Sequence, residues 1–156
     1  MPGLEDLYRE IILDHYRTPR NRGELATPPA RHAEGHNPLC GDEITVYLDV
    51  AEHDGVDVVD DVKIGGQGCS ISQSSASMMS AAVKGKPVAE VRALVNKFKG
   101  MMSIDTGADA ADGPDVPLGD LEALQGVVKF PVRIKCATLA WNTLLDALDS
   151  PAPSNS

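Results

Sequence analysis

Ile64-Gly65-Gly66-Gln67-Gly68-Cys69-Ser70-Ile71-Ser72 is the stretch on which the reading of this chain turns. An apolar run ends at Ile64, three glycines follow at 65, 66 and 68, and a cysteine stands where a helical pattern begins. Glycine adopts backbone angles that a Cβ forbids, so the segment reads as a sharp strand-to-helix turn whose main chain can pass close to another group. Cys69 then falls at a helix N-terminus, where unpaired N–H groups favour thiolate over thiol. An ordinary thiol titrates near ~8.5 and is little ionised at neutral pH; this position is suited to ionise it.

Working back from the turn, Val56, Val58, Val62 and Ile64 lie on the strand that feeds it, with Asp60 or Asp61 marking a bulge or an edge. Before that strand, Ile44, Val46, Leu48 and Val50 alternate with Thr45, Tyr47 and Asp49, the pattern of a strand with one buried face. Asp54-Gly55 between the two is a hairpin signal. A short strand around Ala33 to His36 and a turn-like segment, Asn37 to Asp42, come first. A hairpin returns the chain to its starting end. Cys40, just ahead of the first long strand, and Cys69, just past the second, should therefore meet in space.

Working forward, Ser70 to Lys84 reads as a helix of small residues ended by Gly85, with Met78, Met79 and Val83 as its apolar contacts. Pro87 opens a helix carrying Val88, Val91, Leu94, Val95 and Phe98 as far as Gly100. Gly107 to Pro117 is acidic and rich in Ala, Gly and Pro, an exposed loop by composition, and a short helix from Leu118 to Leu124 follows. Pro131 opens a final helix with Ile134, Ala137, Trp141, Leu144, Leu145 and Leu148 as its core stripe. Cys136 lies in its first two turns and can point to the same end of the sheet as Cys40 and Cys69. At the other terminus, Leu4 to Tyr16 repeats apolar residues at helical spacing and is stopped by Thr18 to Gly23.

These elements define an α+β fold: a small, mainly antiparallel sheet of three strands covered on one face by helices. A single domain is expected over residues 1–149, followed by a disordered tail at 150–156. A chain of 156 residues is long enough to bury a core without disulfides. Its net charge of −9 argues against a nucleic-acid surface, which needs a basic patch. No apolar run is long enough to span a bilayer, and no basic-then-apolar leader opens the sequence. Three cysteines, an odd number in a chain that needs no staples, read as reduced thiols in a cytoplasmic protein.

Cys40, Cys69, Cys136 and Asp42 therefore converge on one end of the sheet, Asp42 sharing a side with Cys40 two residues away in an extended segment. Three thiolates and an oxygen suit a tetrahedral zinc ion, and soft thiolates equally suit iron–sulfur chemistry. The simplest alternative is three buried cysteines acting as small apolar residues, with Asp42 as a turn residue. Four ionised ligands around Zn²⁺ would leave −2, with Arg133, Lys135 and the helix N-termini as the nearby positive charge. Such a site can hold its metal yet release one sulfur to a competing ligand. His36 is within sequence reach of the same metal, whereas His15, His32 and His53 read as solvent-facing.

Cys40-Gly41-Asp42, Gly66-Gln67-Gly68-Cys69-Ser70-Ile71-Ser72 and Arg133-Ile134-Lys135-Cys136-Ala137-Thr138-Leu139-Ala140-Trp141 together resemble the IscU-like iron–sulfur assembly family, specifically its SufU branch. The resemblance runs from the first helix through Leu148. IscU-type scaffolds carry a histidine immediately before the last cysteine, where this chain has Lys135, and the extra segment from about Gly107 to Gly126 marks the SufU branch. The resemblance implies zinc held by Cys40, Asp42, Cys69 and Cys136, with Cys40 as sulfur acceptor. It also implies a pyridoxal-phosphate cysteine desulfurase of the SufS type as sulfur donor and the iron–sulfur assembly machinery as recipient. Arg133 is expected to stabilise the sulfur anion or pair with Asp42. The ligand set would serve equally for a scaffold on which an iron–sulfur cluster is built, or for an adaptor with structural zinc.

Overall fold

The computed structural model describes residues 4–26, 30–38, 41–102 and 119–149. Three strands form an antiparallel sheet in the order β1 (Arg31–Asn37), β2 (Asp42–His53), β3 (Val56–Gln67). The helices are α1 (Leu4–Arg17), α2 (Ser70–Val83), α3 (Val88–Met101) and α4 (Pro131–Asp149), with a 3₁₀ segment over Gly119–Lys129 ahead of α4. The expected fold class is the observed one. Leu39, Cys40, the acidic stretch of 107–117 and the tail of 150–156 lie outside the described residues.

Alternation decides which face of the sheet is covered. Ile44, Val46 and Leu48 on β2 and Val59, Val62 and Ile64 on β3 are buried, and α4 packs across β1 and β2 while α2 and α3 pack against β3. Phe98 of α3 stacks on Trp141 of α4 with ring centroids 4.5 Å apart, joining the two helices within this core. At the β2–β3 turn, Asp54 and Gly55 both adopt positive φ (55° and 82°), matching the twist of a tight hairpin. The register then shifts between Asp49/Val50 and their partners Asp61/Val59, leaving Asp60 as the bulged residue, as the charge within that strand foretold.

β3 would be an open edge, but the chain covers it at two points. Near its end, Ile64 N–H donates to Asn21 O and Gly23 N–H donates to Ile64 O. Near its start, Val59 N–H donates to Lys86 O and Gly85 N–H donates to Val59 O. The strand preceding the glycine turn is thus held from both sides.

α2 is the buried centre of the helical layer, with every residue from Ser72 to Ser80 buried. Its buried serines let neighbours approach closely, and their hydroxyls are paired. Ser75 Oγ donates to Ala137 O and accepts from Trp141 Nε1, and Ser80 Oγ donates to Ser77 O. Ser77 Oγ accepts from Arg20 N–H and meets His15 Nδ1 at 2.8 Å. This overturns the solvent-facing reading of His15, which is only 3% exposed. A polar partner on the buried face of α2 makes burial of the imidazole tolerable. His53, paired with Asp60, and His32, stacked on Tyr47, are exposed as expected.

Candidate metal centre

The centre forms where the sheet register and the glycine turn bring three segments together. β1 and β2 pair Asn37 with Asp42, so Asp42 begins β2 at the mouth of the short β1–β2 connection. β3 runs three residues beyond Ile64, pairing Gly65 with Thr45, Gly66 with Ile44 and Gln67 with Glu43. That extra length carries Gly68 and Cys69 up to Asp42. Gly66 has φ of +106°, and a Cβ there would collide with the Glu43 carbonyl. A side chain at Gly68 would collide with Asp42 Oδ1 and Ser72 Oγ. Glycine at these two positions is what allows the close approach.

Cys69 is the N-cap of α2, as expected: its Sγ accepts from Ser72 N–H at 3.5 Å, and its own N–H donates to Asp42 Oδ1 at 2.8 Å. Asp42 Oδ2 lies 4.0 Å from Cys69 Sγ. Cys136 arrives from the second turn of α4 and is fully buried. One ligand atom from each of Asp42, Cys69 and Cys136 lies within 4.8 Å of the other two, close enough to share a metal ion. Asp42 is 1% exposed, and Cys69 gives the site its access to solvent. Neither Cys69 nor Cys136 is in a disulfide.

Two thiols and a carboxylate from three distant segments fit a thiophilic metal, with zinc or an iron–sulfur cluster the chemical choices. The α2 N-terminus sets a favourable partial charge against the Cys69 sulfur. His36 is exposed on β1 opposite Glu43 and is not part of the cluster found among the described residues. Arg133, on the first turn of α4, is exposed; with Cys69, Ser70 and Ile71 it lines a cleft of about 820 Å³ that extends between α1 and the 3₁₀ segment. Lys135 is exposed on the same turn.

One residue of this site had no signal in the sequence. Asn37 is buried, and its Nδ2 lies 3.5 Å from both Asp42 Oδ2 and Cys136 Sγ, joining two candidate ligands. Such outer partners orient ligands and tune their basicity. Asn37 ends an unremarkable polar run, and only a partner 99 residues away reveals its place.

A small α+β domain that gathers two thiols and a carboxylate at one end of its sheet, with a third cysteine two residues before that carboxylate in the sequence, carries the donor set of a thiolate metal site. The chain is a member of the NifU-like N-terminal domain family, whose model matches residues 7–137. It is 48% identical to the zinc-dependent sulfurtransferase SufU of Bacillus subtilis, over 91% of this chain and 89% of that protein. It is 38% identical to the iron–sulfur cluster assembly scaffold protein IscU of Streptococcus pyogenes, over 96% of this chain and 87% of the relative. Among solved structures, a candidate SUF-system iron–sulfur cluster assembly scaffold from Fervidobacterium islandicum superposes with a TM-score of 0.73 at 31% identity, covering 94% of this chain and all of that one. The resemblance read from the three cysteine motifs is therefore shown. Among the described residues no helix is long and apolar enough to cross a membrane.

Proposed function

We propose that this protein is a zinc-dependent sulfur carrier of the cytoplasm. In this reading it accepts persulfide sulfur from a SufS-type cysteine desulfurase and passes it to iron–sulfur cluster assembly. The observation that carries the reading is the convergence of Asp42, Cys69 and Cys136 within 4.8 Å, with Cys40 two residues before Asp42 in the sequence. The 48% identity to a named zinc-dependent sulfurtransferase supports it.

Cys40, Asp42, Cys69 and Cys136 would hold the zinc, which would keep bound thiols deprotonated at neutral pH while allowing ligand exchange. Three of these residues are fixed by the fold. Asp42 is held by the Cys69 N–H, Cys69 by the first turn of α2, and Cys136 by burial in α4. Cys40, two residues before Asp42 in the sequence, is the sulfur assigned to react. Its thiolate attacks the outer sulfur of the donor's persulfide, the donor's S–S bond breaks, and the donor cysteine leaves as a thiolate. Cys40 ends as the persulfide, with no net redox change. Arg133, exposed on the wall of the cleft that Cys69 also lines, is the residue assigned to stabilise the sulfur anion.

Cysteine-desulfurase turnover with and without this chain tests the proposal. Wild type should stimulate turnover, and Cys40→Ala should not. Normal stimulation by Cys40→Ala would overturn the assignment. Metal analysis and an absorbance scan of protein prepared without air separate the competing scaffold reading, which requires a coloured cluster in place of colourless zinc.

A further inference from the structure

Arg22 spans the two ends of the segment that carries Cys69. Its Nη2 donates to the Gly66 carbonyl, and its Nη1 donates to Gln73 Oε1 at 3.1 Å. Gly66 is three residues before Cys69, and Gln73 is four after it, one turn into α2. The backbone around Arg22 is itself fixed, because it forms a parallel bridge to Ile64 flanked by hydrogen bonds from Gly23 and to Asn21. The guanidinium therefore ties the last turn of sheet to the first turn of helix across a linker containing Gly66 and Gly68.

Gln73 supplies a second, independent observation. The residue is 8% exposed, and among the described residues its Nε2 is buried without a hydrogen-bond partner. An orphaned buried amide N–H costs about 1–3 kcal/mol. A leucine or methionine would fill this position of a buried helix without that cost. The other half of the amide, Oε1, is the half that Arg22 uses.

We infer that Arg22 is a positioning residue for the metal centre, fixing the Gly66–Cys69 turn through Gly66 O and Gln73 Oε1 so that the Cys69 sulfur is presented to the metal alongside Asp42 and Cys136. A turn with two glycines has many alternative conformations, and the fork removes them before the metal arrives. The inference rests on the functional reading only in that a metal occupies this cluster.

The test compares Arg22→Ala and Arg22→Lys with Arg20→Ala, which removes an arginine from the same segment whose side chain instead pairs with Asp14 and Thr18 O. Zinc affinity is measured by chelator competition, and amide exchange over residues 66–69 is measured in metal-free protein. Arg22→Ala should bind zinc about 10–100-fold more weakly and exchange faster at 66–69, with Arg20→Ala like wild type in both. Arg22→Lys, which keeps the charge but lacks the planar fork, should remain impaired. Full affinity in Arg22→Ala, or full rescue by lysine, overturns the inference. Should Arg22→Ala not fold, Arg22→Lys and Arg22→Gln carry the same comparison. If wild type takes up no zinc, the functional reading fails, while exchange at 66–69 in metal-free protein still decides what Arg22 does.

Discussion

Replacing Gly68 by alanine puts one methyl group into the tightest contact of the metal centre. The new Cβ would overlap Asp42 Oδ1 and Ser72 Oγ and would lie 3.1 Å from Asp42 Cβ. Ser72 can rotate its hydroxyl away, but Asp42 is 1% exposed and cannot swing into solvent. Overpacking of this kind costs about 1–3 kcal/mol. Displacing the carboxylate also strains the 2.8 Å bond from Cys69 N–H to Asp42 Oδ1, a charge-assisted contact worth about 1.5–3 kcal/mol. The two effects overlap, so a loss of about 2–4 kcal/mol is expected, a drop in Tm of roughly 5–15 °C for a chain of this length. Zinc affinity should fall with it, because Asp42 and Cys69 move apart. Gly65→Ala is the matched control: nothing lies within 4 Å of a Cβ built there, and its φ is not in the left-handed region. That variant should be neutral or stabilised by about 0.4–1 kcal/mol. Thermal denaturation of the metal-free proteins and chelator competition on the zinc forms measure both. If Gly68→Ala matches Gly65→Ala in Tm and zinc retention, the close approach of the turn to Asp42 is wrong.

Asn37→Asp should lower zinc affinity about 10–100-fold, since it sets a carboxylate against Asp42 and Cys136 where an amide N–H now donates; chelator competition reads it. Unchanged affinity would remove Asn37 from the site. The Arg20 guanidinium, 2.6 Å from Asp14, holds that carboxyl below the usual carboxylate range by hydrogen bonding and charge attraction. A depressed native pKa stabilises the fold above the unfolded-state pKa, and the gain is lost as pH falls through the native value. Both side chains are exposed and screened, so Asp14→Asn should lower Tm only slightly near neutrality. The gap from wild type should close in acid and shrink with salt. A gap that widens in acid would contradict the pairing.

The sequence was most informative where local chemistry and final structure agree. Asp54-Gly55 specified its own turn, a charge pair in an apolar strand marked the bulge at Asp60, and alternation from Ile44 to Leu48 set the buried face. The approach of Asp42 to Cys69 was legible because a hairpin must return to its starting end, and Cys136 because it lies in the first two turns of the last helix. Distance along the chain hid the rest. β3 continues through Gly65 and Gly66, poor strand formers, because Thr45 and Ile44 of β2 offer a ladder to pair with. His15 lies at the edge of a helical stripe, and a partner such as Ser77, 62 residues on, makes burial tolerable. Asn37 and Arg22 likewise owe their positions to partners no local pattern contains.

Whether sulfur reaches Cys40 is settled most directly by mass spectrometry of the chain after brief exposure to a persulfide-loaded SufS-type desulfurase. One added sulfur atom on the peptide containing Cys40, and none on those containing Cys69 or Cys136, is the predicted result. Sulfur on Cys69 or Cys136 with Cys40 untouched would contradict it.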